Sequence, residues 1–430
     1  MDAWRFRHAV QPSGCATVAR HPRCARGGFD ALASAGDLAH CLEESPLPRV
    51  ARVRTPAGEV RWARVLEAPA GVPSRVALLP GDRDLAQVLE SASHPRRDAE
   101  ELAIDPQEAA ARICAPVSLP QSELDAERKI VVAAGLNYAG HAEEAGGGDV
   151  FLFPKPVEPT APYGAVSAPA GITLLDYEVE LGVVLLGDVA LDAVPTWDAL
   201  LEQSAFFIAN DLTDREAIIR HATLTGPGTG FVEAKGQPGF LPLGPWIVRG
   251  RELFAAVAGC GGSGLPIRLE VDAGEGFELR QDANTELLLL DPIALLARVA
   301  EQVRAGGLRS EMPVERNGET RHYPLAVDEA APRLPAGSIV LTGTPAGVAL
   351  ATPHRVGLLA RGALHLRSPF EQFRQDELAR AAAHEPGGYL APGDRVRARI
   401  AGLGTQLIRI ADPGSPSPEP CGSVSISPHR

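Results

Sequence analysis

Two carboxylates one residue apart, Glu178 and Glu180, lie in the run Leu174-Leu175-Asp176-Tyr177-Glu178-Val179-Glu180-Leu181-Gly182-Val183-Val184. On a strand, residues i and i+2 share a face, so these two groups sit side by side. The neighbouring apolar residues mark the strand as largely buried. Two adjacent carboxylates out of water cost several kcal/mol each unless compensated. A hard divalent cation with oxygen ligands (Mg²⁺, Mn²⁺ or Ca²⁺) would compensate them. A solvated face would need no cation, and the pattern alone leaves both readings open. A third carboxylate, Asp211, ends the apolar run Phe206-Phe207-Ile208-Ala209-Asn210-Asp211, where a helix is expected to begin. Taken singly, it is equally a helix-flanking residue.

A different chemistry is offered by Gly135-Leu136-Asn137-Tyr138-Ala139-Gly140-His141-Ala142-Glu143-Glu144. If this segment is helical, His141 and Glu144 are i and i+3 and touch. A carboxylate beside an imidazole fixes its tautomer and makes a competent general base. Exposed His–Glu pairs are common, so the pair alone is weak. Lysine occurs only at Lys129, Lys155 and Lys235, against 38 arginines. Surface positions accept arginine for lysine, whereas a site needing a compact ammonium does not. The surviving lysines are therefore site candidates.

The elements that must position these residues follow from period and punctuation. Val50, Val53, Val60, Trp62 and Val65 alternate around Pro56-Ala57-Gly58, which predicts a hairpin. Residues 81–113 are expected to be partly helical, and Pro116 and Pro120 mark a linker. Strands are expected at Ile130–Ala134, Tyr177–Leu186, Ala205–Ala209 and Ser338–Thr342, with a helix from Asp214 to Ala222. Asp291 and Pro292 open a helix reaching Arg304, its apolar face carrying Ile293, Leu296 and Val303, with Gly306-Gly307 as its stop. Ser368-Pro369-Phe370-Glu371 is a capping box for a helix presenting Phe370, Phe373 and Leu378. Arg395–Ile410 reads as a closing hairpin around Gly402-Leu403-Gly404.

With 430 residues, 45% of them hydrophobic, the chain is long enough for two domains and a sizeable core. Its net charge of −13 argues against non-specific nucleic-acid binding. No apolar run reaches the ~18 residues of a membrane span. The six cysteines, Cys15, Cys24, Cys41, Cys114, Cys260 and Cys421, form no C-x-x-C pair. They are expected to be free thiols in a cytoplasmic protein, without a disulfide framework or zinc knuckle. Residues 1–47 are expected to be a poorly ordered extension without a secretory apolar stretch. The Ser/Pro-rich residues 413–430 are expected to be a disordered tail.

The ordered set of motifs resembles the fumarylacetoacetate hydrolase superfamily over roughly residues 129–412, most of all its acylpyruvase and 2-hydroxyhepta-2,4-diene-1,7-dioate isomerase-like branch. The set comprises Gly135-x-Asn137-Tyr138-x-x-His141-x-x-Glu144, Phe153-Pro154-Lys155-Pro156, Asp176-Tyr177-Glu178-Val179-Glu180-Leu181 and Ala209-Asn210-Asp211-x-x-x-Arg215. It continues with Lys235, Pro242-Leu243-Gly244-Pro245-Trp246, Leu341-Thr342-Gly343-Thr344-Pro345-x-Gly347-Val348 and Pro392-Gly393-Asp394. The resemblance implies an α+β, mainly β fold: a mixed β-sandwich roll with a small N-terminal β domain. The expected division is 48–120 for that small domain and 121–412 for the catalytic one, with insertions near 306–330 and 351–388. It further implies Glu178, Glu180 and Asp211 as ligands of Mg²⁺ or Mn²⁺ (Ca²⁺ possible), and His141 with Glu144 as water activators on a lid. Lys235 would stabilise an enolate oxygen. Lys155, Arg215, Thr344 and Tyr138 would hold an oxo-acid substrate, and a homodimer is expected.

Two departures fall on the substrate side of the expected site. Ile218 stands where many members have glutamine, and Gly236-Gln237-Pro238-Gly239 replaces a Ser-Phe-Asp-like stretch. The expected reaction is hydrolysis of a C–C bond in a 2,4-dioxo acid such as an acylpyruvate or fumarylacetoacetate. Decarboxylation, isomerisation or hydration of a 2-oxo or 2-hydroxydienoate acid is the alternative, and a non-catalytic binding protein is the third reading. No G-x-S-x-G elbow, H-E-x-x-H helix or G-x-x-x-x-G-K loop is present. The 370–378 helix is expected at a dimer interface or over the pocket.

Overall fold

The apolar strand Val179–Leu185 is buried along its whole length, as a central strand must be. A computed structural model describes residues 35–415 apart from 81–83, 95–97, 126–128, 192–194, 223–229, 305–313, 317–318, 322–332, 351–363, 366, 385–386 and 414. Val179–Leu185 pairs antiparallel with Ser204–Asn210 on one side and with Ile339–Leu341 on the other. Val131–Gly135 adds parallel to Ile339–Leu341, and Phe151–Pro154 and Val248–Arg249 close the edges of a six-stranded sheet.

Alternation sends the two faces of that sheet into different cores. Val179, Leu181, Val183 and Leu185 pack with Ile267, Leu269, Val396, Ile400 and Ile408 of a five-stranded sheet. That sheet runs in the order Phe277–Asn284, Pro266–Asp272, Arg395–Ile400, Gly404–Ala411, Tyr163–Ser167. The opposite face offers Val184, Phe207, Val131 and Leu341 to Val50, Trp62, Val88 and Leu89. These last residues belong to the N-terminal part, where Val50–Arg54 and Val60–Glu67 form the expected hairpin within a second five-stranded sheet. Ile247 bridges to Val50, so the small sheet continues into the larger body, and residues 33–430 form one compact unit. The architecture is α+β and strand-rich, built of stacked open sheets.

The helix Pro292–Arg304 spans the expected residues. Its core face is Leu295, Leu296, Val299 and Ala300, with Ile293 only partly buried; Gly306-Gly307 lies outside the described residues. Ser368 caps as expected: its Oγ accepts from Glu371 N–H at 3.1 Å and opens the helix Pro369–Ala382, while the Glu371 carboxylate accepts from Arg374 and Gln375 instead of closing the box. Its buried residues are Gln372 and Glu377, whereas Phe373 and Leu378 are only partly covered. Polar contacts dock this helix: Arg374 donates to Glu216 at 2.8 Å, Arg380 donates to the Ala349 carbonyl at 3.2 Å, and Glu377 accepts from Tyr389 at 2.5 Å. It therefore leans on the helix Arg215–Arg220. Most of the two expected insertions, and the tail beyond residue 415, lie outside the described residues.

Two expectations are corrected. Within the stretch expected to be poorly ordered, Ala35–Glu44 is a helix that buries Leu38 and Leu42. The cysteines are not all free: Cys41 on this helix and Cys260 at the end of the helix Gly250–Gly259 are joined by a disulfide, with Cα atoms 5.9 Å apart. Cys114 is also disulfide-bonded. The bond between Cys41 and Cys260 spans 219 positions of sequence. Tertiary packing alone brings the two residues together, which is why their spacing carried no signal. Free thiols were the ground for placing the chain in the cytoplasm, and that ground is removed. No helix among the described residues is long and apolar enough to cross a membrane.

Candidate metal and acid–base site

The three expected ligand carboxylates converge at one end of the central strand pair. Glu178 precedes Val179–Leu185, Glu180 lies within it, and Asp211 follows Ser204–Asn210. The register places Val179 opposite Asn210 and Glu180 opposite Ala209, so the adjacent strand ends deliver all three groups together. The pairing is extended by Asn210, whose side-chain oxygen accepts from Glu178 N–H at 3.1 Å, while Asp211 N–H donates to the Glu178 carbonyl at 2.8 Å. One oxygen from each carboxylate lies within 4.8 Å of the others, and all three residues are buried.

Three buried cations surround this cluster. Arg215 donates to Glu178 at 2.5 Å and to Asp176 at 2.7 Å. Lys235 donates to Glu178 at 2.6 Å, to Asp211 at 2.7 Å and to the Thr213 hydroxyl at 2.9 Å. Lys155, fully buried, lies 2.6 Å from Asp211 Oδ1 and donates to the Lys235 carbonyl at 2.5 Å. The two lysines that composition singled out here thus meet in one cluster. Lys129, the third, pairs with Glu123 at 2.6 Å instead.

The electrostatics divide the carboxylates. Burial alone would raise the Glu178 carboxyl, but Lys235 and Arg215 outweigh it and hold the group below the usual range. Glu180 has no cation bonded to it. Burial, and then the charges of Asp211 and Glu178, push it well above the usual range, against the charge of Lys235 and one N–H from Gly343 at 2.8 Å. Gly343 takes φ 92°, and a Cβ there would lie 2.9 Å from Asn137 Cβ and 3.1 Å from the Ala134 carbonyl. Only glycine presents its N–H to Glu180 at that place. Burial disfavours the Lys155 ammonium and lowers its pKa, whereas the charges of Asp211 and Glu178 outweigh burial at Lys235 and raise it.

A divalent cation fits this donor set. The oxygens are hard, they are at metal-sharing separation, and Glu180, buried among them, has no hydrogen bond or ion pair to a cation among the described residues. A buried carboxyl that is costly to ionise beside two other carboxylates is what a missing positive charge leaves behind.

His141 and Glu144 share the short helix Ala139–Glu144, and His141 Nδ1 lies 3.3 Å from Glu144 Oε2. Glu144 is itself anchored, accepting from Gly347 N–H at 2.8 Å. The imidazole is nearly buried, and its charge would act on Glu178. Tyr138, just before this helix, is buried, and its hydroxyl has no hydrogen-bond partner among the described residues. Burial and the Glu180 charge raise its pKa. Thr344 is buried, but its hydroxyl is engaged: it donates to the Val179 carbonyl at 3.0 Å and accepts from Gln281 at 2.8 Å.

Two positioning residues escaped the sequence reading. Asp176 was quoted only as part of a motif. It is fully buried and accepts from Arg215, from Tyr177 and Ala349 N–H at 2.8 Å each, and from Leu350 N–H at 3.2 Å. That carboxylate fixes Arg215 against the cluster. Gln281 comes from the other sheet; it accepts from Val179 N–H at 3.0 Å and donates to Thr344 and the Pro345 carbonyl. A lone glutamine outside every motif had no local signal. Ile218 and Gln237 are half-buried on the helix Arg215–Arg220 and beyond Lys235.

Residues 129–411 match the family model for the fumarylacetoacetate (FAA) hydrolase C-terminal region. The chain is 27% identical over 228 residues to 2,4-didehydro-3-deoxy-L-rhamnonate hydrolase of Sphingomonas sp. (strain SKA58), covering 51% of this chain and 61% of that protein. It spans less than two thirds of the length of the first curated relatives it matches. In structure it is similar to fumarylacetoacetate hydrolase from psychrophilic Exiguobacterium antarcticum, with a TM-score of 0.51 and 22% identity over 85% of this chain and 99% of that one. It is also similar to 5-carboxymethyl-2-hydroxymuconate delta-isomerase from Mycobacterium smegmatis, with a TM-score of 0.50 and 20% identity over 85% of this chain and 99% of that one. At these identities the solved structures speak to the fold. The matched region takes in the carboxylate cluster, its three cations and the His141–Glu144 pair, and the chain belongs to the fumarylacetoacetate hydrolase family.

Proposed function

We propose that this protein is a divalent-metal-dependent hydrolase that cleaves a C–C bond of a small 2,4-dioxo acid. The observation that carries the reading is one buried cluster holding three metal-spaced carboxylates, two lysines and an arginine beside a histidine–carboxylate pair. Glu178, Glu180 and Asp211 would hold Mg²⁺ or Mn²⁺, which when bound supplies Lewis-acid polarisation of chelated carbonyl oxygens. His141 takes a proton from water at the imidazole nitrogen not facing Glu144, and Glu144 holds the ring's orientation. The water attacks the distal carbonyl, and scission releases a carboxylic acid and an enolate. Lys235 places a preorganised ammonium where negative charge grows, typically the largest catalytic contribution. Lys155 and Arg215 set the positive field that draws the substrate carboxylate, and the Tyr138 hydroxyl has a free donor to offer it.

The test is turnover of acylpyruvates, fumarylacetoacetate and oxaloacetate with Mg²⁺ or EDTA, for wild type and His141→Ala. Metal-dependent cleavage lost in His141→Ala supports the reading. Loss by a factor of about 10²–10⁴ is expected for a general base. Metal-dependent CO₂ release or double-bond migration, without hydrolysis, overturns it in favour of a decarboxylase or isomerase. Tight metal binding without turnover of any compound in the panel points to a different substrate, selected by Ile218 and the Gly236–Gly239 stretch, or to a binding role.

A further inference from the structure

A second cavity, of about 240 Å³, lies between the 35–44 helix and the closing hairpin, and none of the residues of the carboxylate cluster line it. Its origin is visible in one strand pair. Arg395, Arg397 and Arg399 project from the same side of Arg395–Ile400, and their register partners on Pro266–Asp272 are Asp272, Glu270 and Arg268. The first two rungs are ion pairs: Arg395 with Asp272, and Arg397 with Glu270 at 2.7 Å. At the third rung, where the pattern calls for an acid, an arginine faces an arginine. Like charges directly opposite each other destabilise a sheet.

Arg268 is answered from its other neighbour, by Asp282 at 2.8 Å. Arg399 is not. No acceptor among the described residues bonds its guanidinium, and its Nε is buried without a partner. Its remaining cross-strand neighbour, Thr405, donates its hydroxyl to the Ala70 carbonyl at 2.8 Å. Both arginines of the inverted rung line the cavity. From another wall Arg49 lies over the Trp246 ring at 5.6 Å, its Nε also buried without a partner. The acids at the cavity are Asp282, held by Arg268, and Glu43, which is exposed. The rest of the lining is the indole of Trp246 with Ala35, Ala39, Ala68 and Ile400.

We infer that this cavity binds a small organic carboxylate, its head between Arg268 and Arg399 and its apolar body along Trp246 and the alanines. The carboxylate supplies the acid that the third rung lacks, and the guanidinium fork matches its geometry. Burying a guanidinium without a partner costs stability, and the ligand removes that cost. The wall formed by the 35–44 helix is tethered by the Cys41–Cys260 disulfide, so the cavity is held open before the ligand arrives.

Titration calorimetry of the full chain with benzoate and with acetate, in saturating Mg²⁺, tests the inference. Benzoate is expected to bind at one site per chain, about tenfold or more tighter than acetate, because only benzoate covers the indole. Arg399→Gln is expected to weaken benzoate by about tenfold or more. Arg268→Asp, which replaces one guanidinium of the head site by a carboxylate, is expected to abolish binding. Arg251→Gln, which removes an exposed arginine elsewhere, is expected to leave benzoate binding unchanged. Benzoate binding that persists undiminished in Arg268→Asp, or that falls equally in Arg251→Gln, overturns the inference. No binding at millimolar benzoate overturns it too, and equal affinity for acetate overturns the apolar part of the site.

Discussion

Arg215 and Arg399 are two guanidinium groups in one fold with opposite settlements. Arg215 is almost wholly buried, yet every direction it faces is answered: Asp176 takes Nε, Glu178 takes Nη2, and the two carboxylates raise its pKa against the effect of burial. Arg399 is only half-buried, yet no acceptor among the described residues bonds it, and burial with Arg397 beside it lowers its pKa despite the charges of Glu270 and Glu43. Burial alone therefore does not decide what a charge costs; the partners do. In the carboxylate cluster the imbalance lies on the acidic side, at Glu180, and implies a cation. At the cavity it lies on the basic side and implies an anion.

The comparison is broken most severely by removing the answered arginine. Arg215→Met strands Asp176 and Glu178 in the interior and is expected to cost about 3–5 kcal/mol in urea denaturation. Arg399→Gln should cost nothing measurable, or stabilise; an equal loss in both would refute the contrast. Next in size is the staple that shapes the cavity. Cys260→Ser, or reduction, is expected to lower stability by about 2–4 kcal/mol, and wild type and variant should then melt alike under reducing conditions.

A buried charge answered only by backbone sharpens the point. Asp214 caps the 215–220 helix, accepting from Glu216 N–H at 2.9 Å, and burial raises its carboxyl to about 6. A carboxyl raised on folding binds its proton more tightly in the native state. Its contribution to stability is therefore greatest below the unfolded pKa, declines as pH rises towards 6, and stays low above that. Asp214→Asn keeps the cap without the charge. It should gain up to about 2 kcal/mol at pH 8, with the gain vanishing near pH 4; a gain independent of pH would assign the effect to something other than ionisation. The smallest effect is expected at Arg374→Ala, which removes the half-exposed pair with Glu216 between the 369–382 and 215–220 helices. A loss of about 1 kcal/mol or less is expected. A larger one in thermal denaturation would show that the 369–382 helix supports the site more strongly than an exposed ion pair does.

Much of the carboxylate cluster was legible because its chemistry is written locally. Glu178 and Glu180 share a face through the strand period, His141 and Glu144 meet through the helical period, and a scarcity of lysine isolated Lys155 and Lys235. Asp176 was not recognised, because its role is to accept four donors from three separate segments, none of which its neighbours announce. Thr344 was placed correctly near the cluster, yet its hydroxyl is taken by Val179 and Gln281, and neither bond is visible in a motif. The 369–382 helix was bounded well by its cap, but its buried residues are Gln372 and Glu377, since polar docking leaves no hydrophobic period.

By itself the sequence determined several strand and helix segments, the side-by-side pair Glu178 and Glu180, the His141–Glu144 spacing and, through the ordered motifs, the family, because these depend on residue types at short separations or in a fixed order. The tertiary structure decided which charges are answered. The Cys41–Cys260 bond, the Asp176 anchor on Arg215 and the arginine-for-acid inversion at Arg268 and Arg399 all join positions far apart in the chain. Their energies come from register and burial, which arise only when strands from different segments are laid side by side.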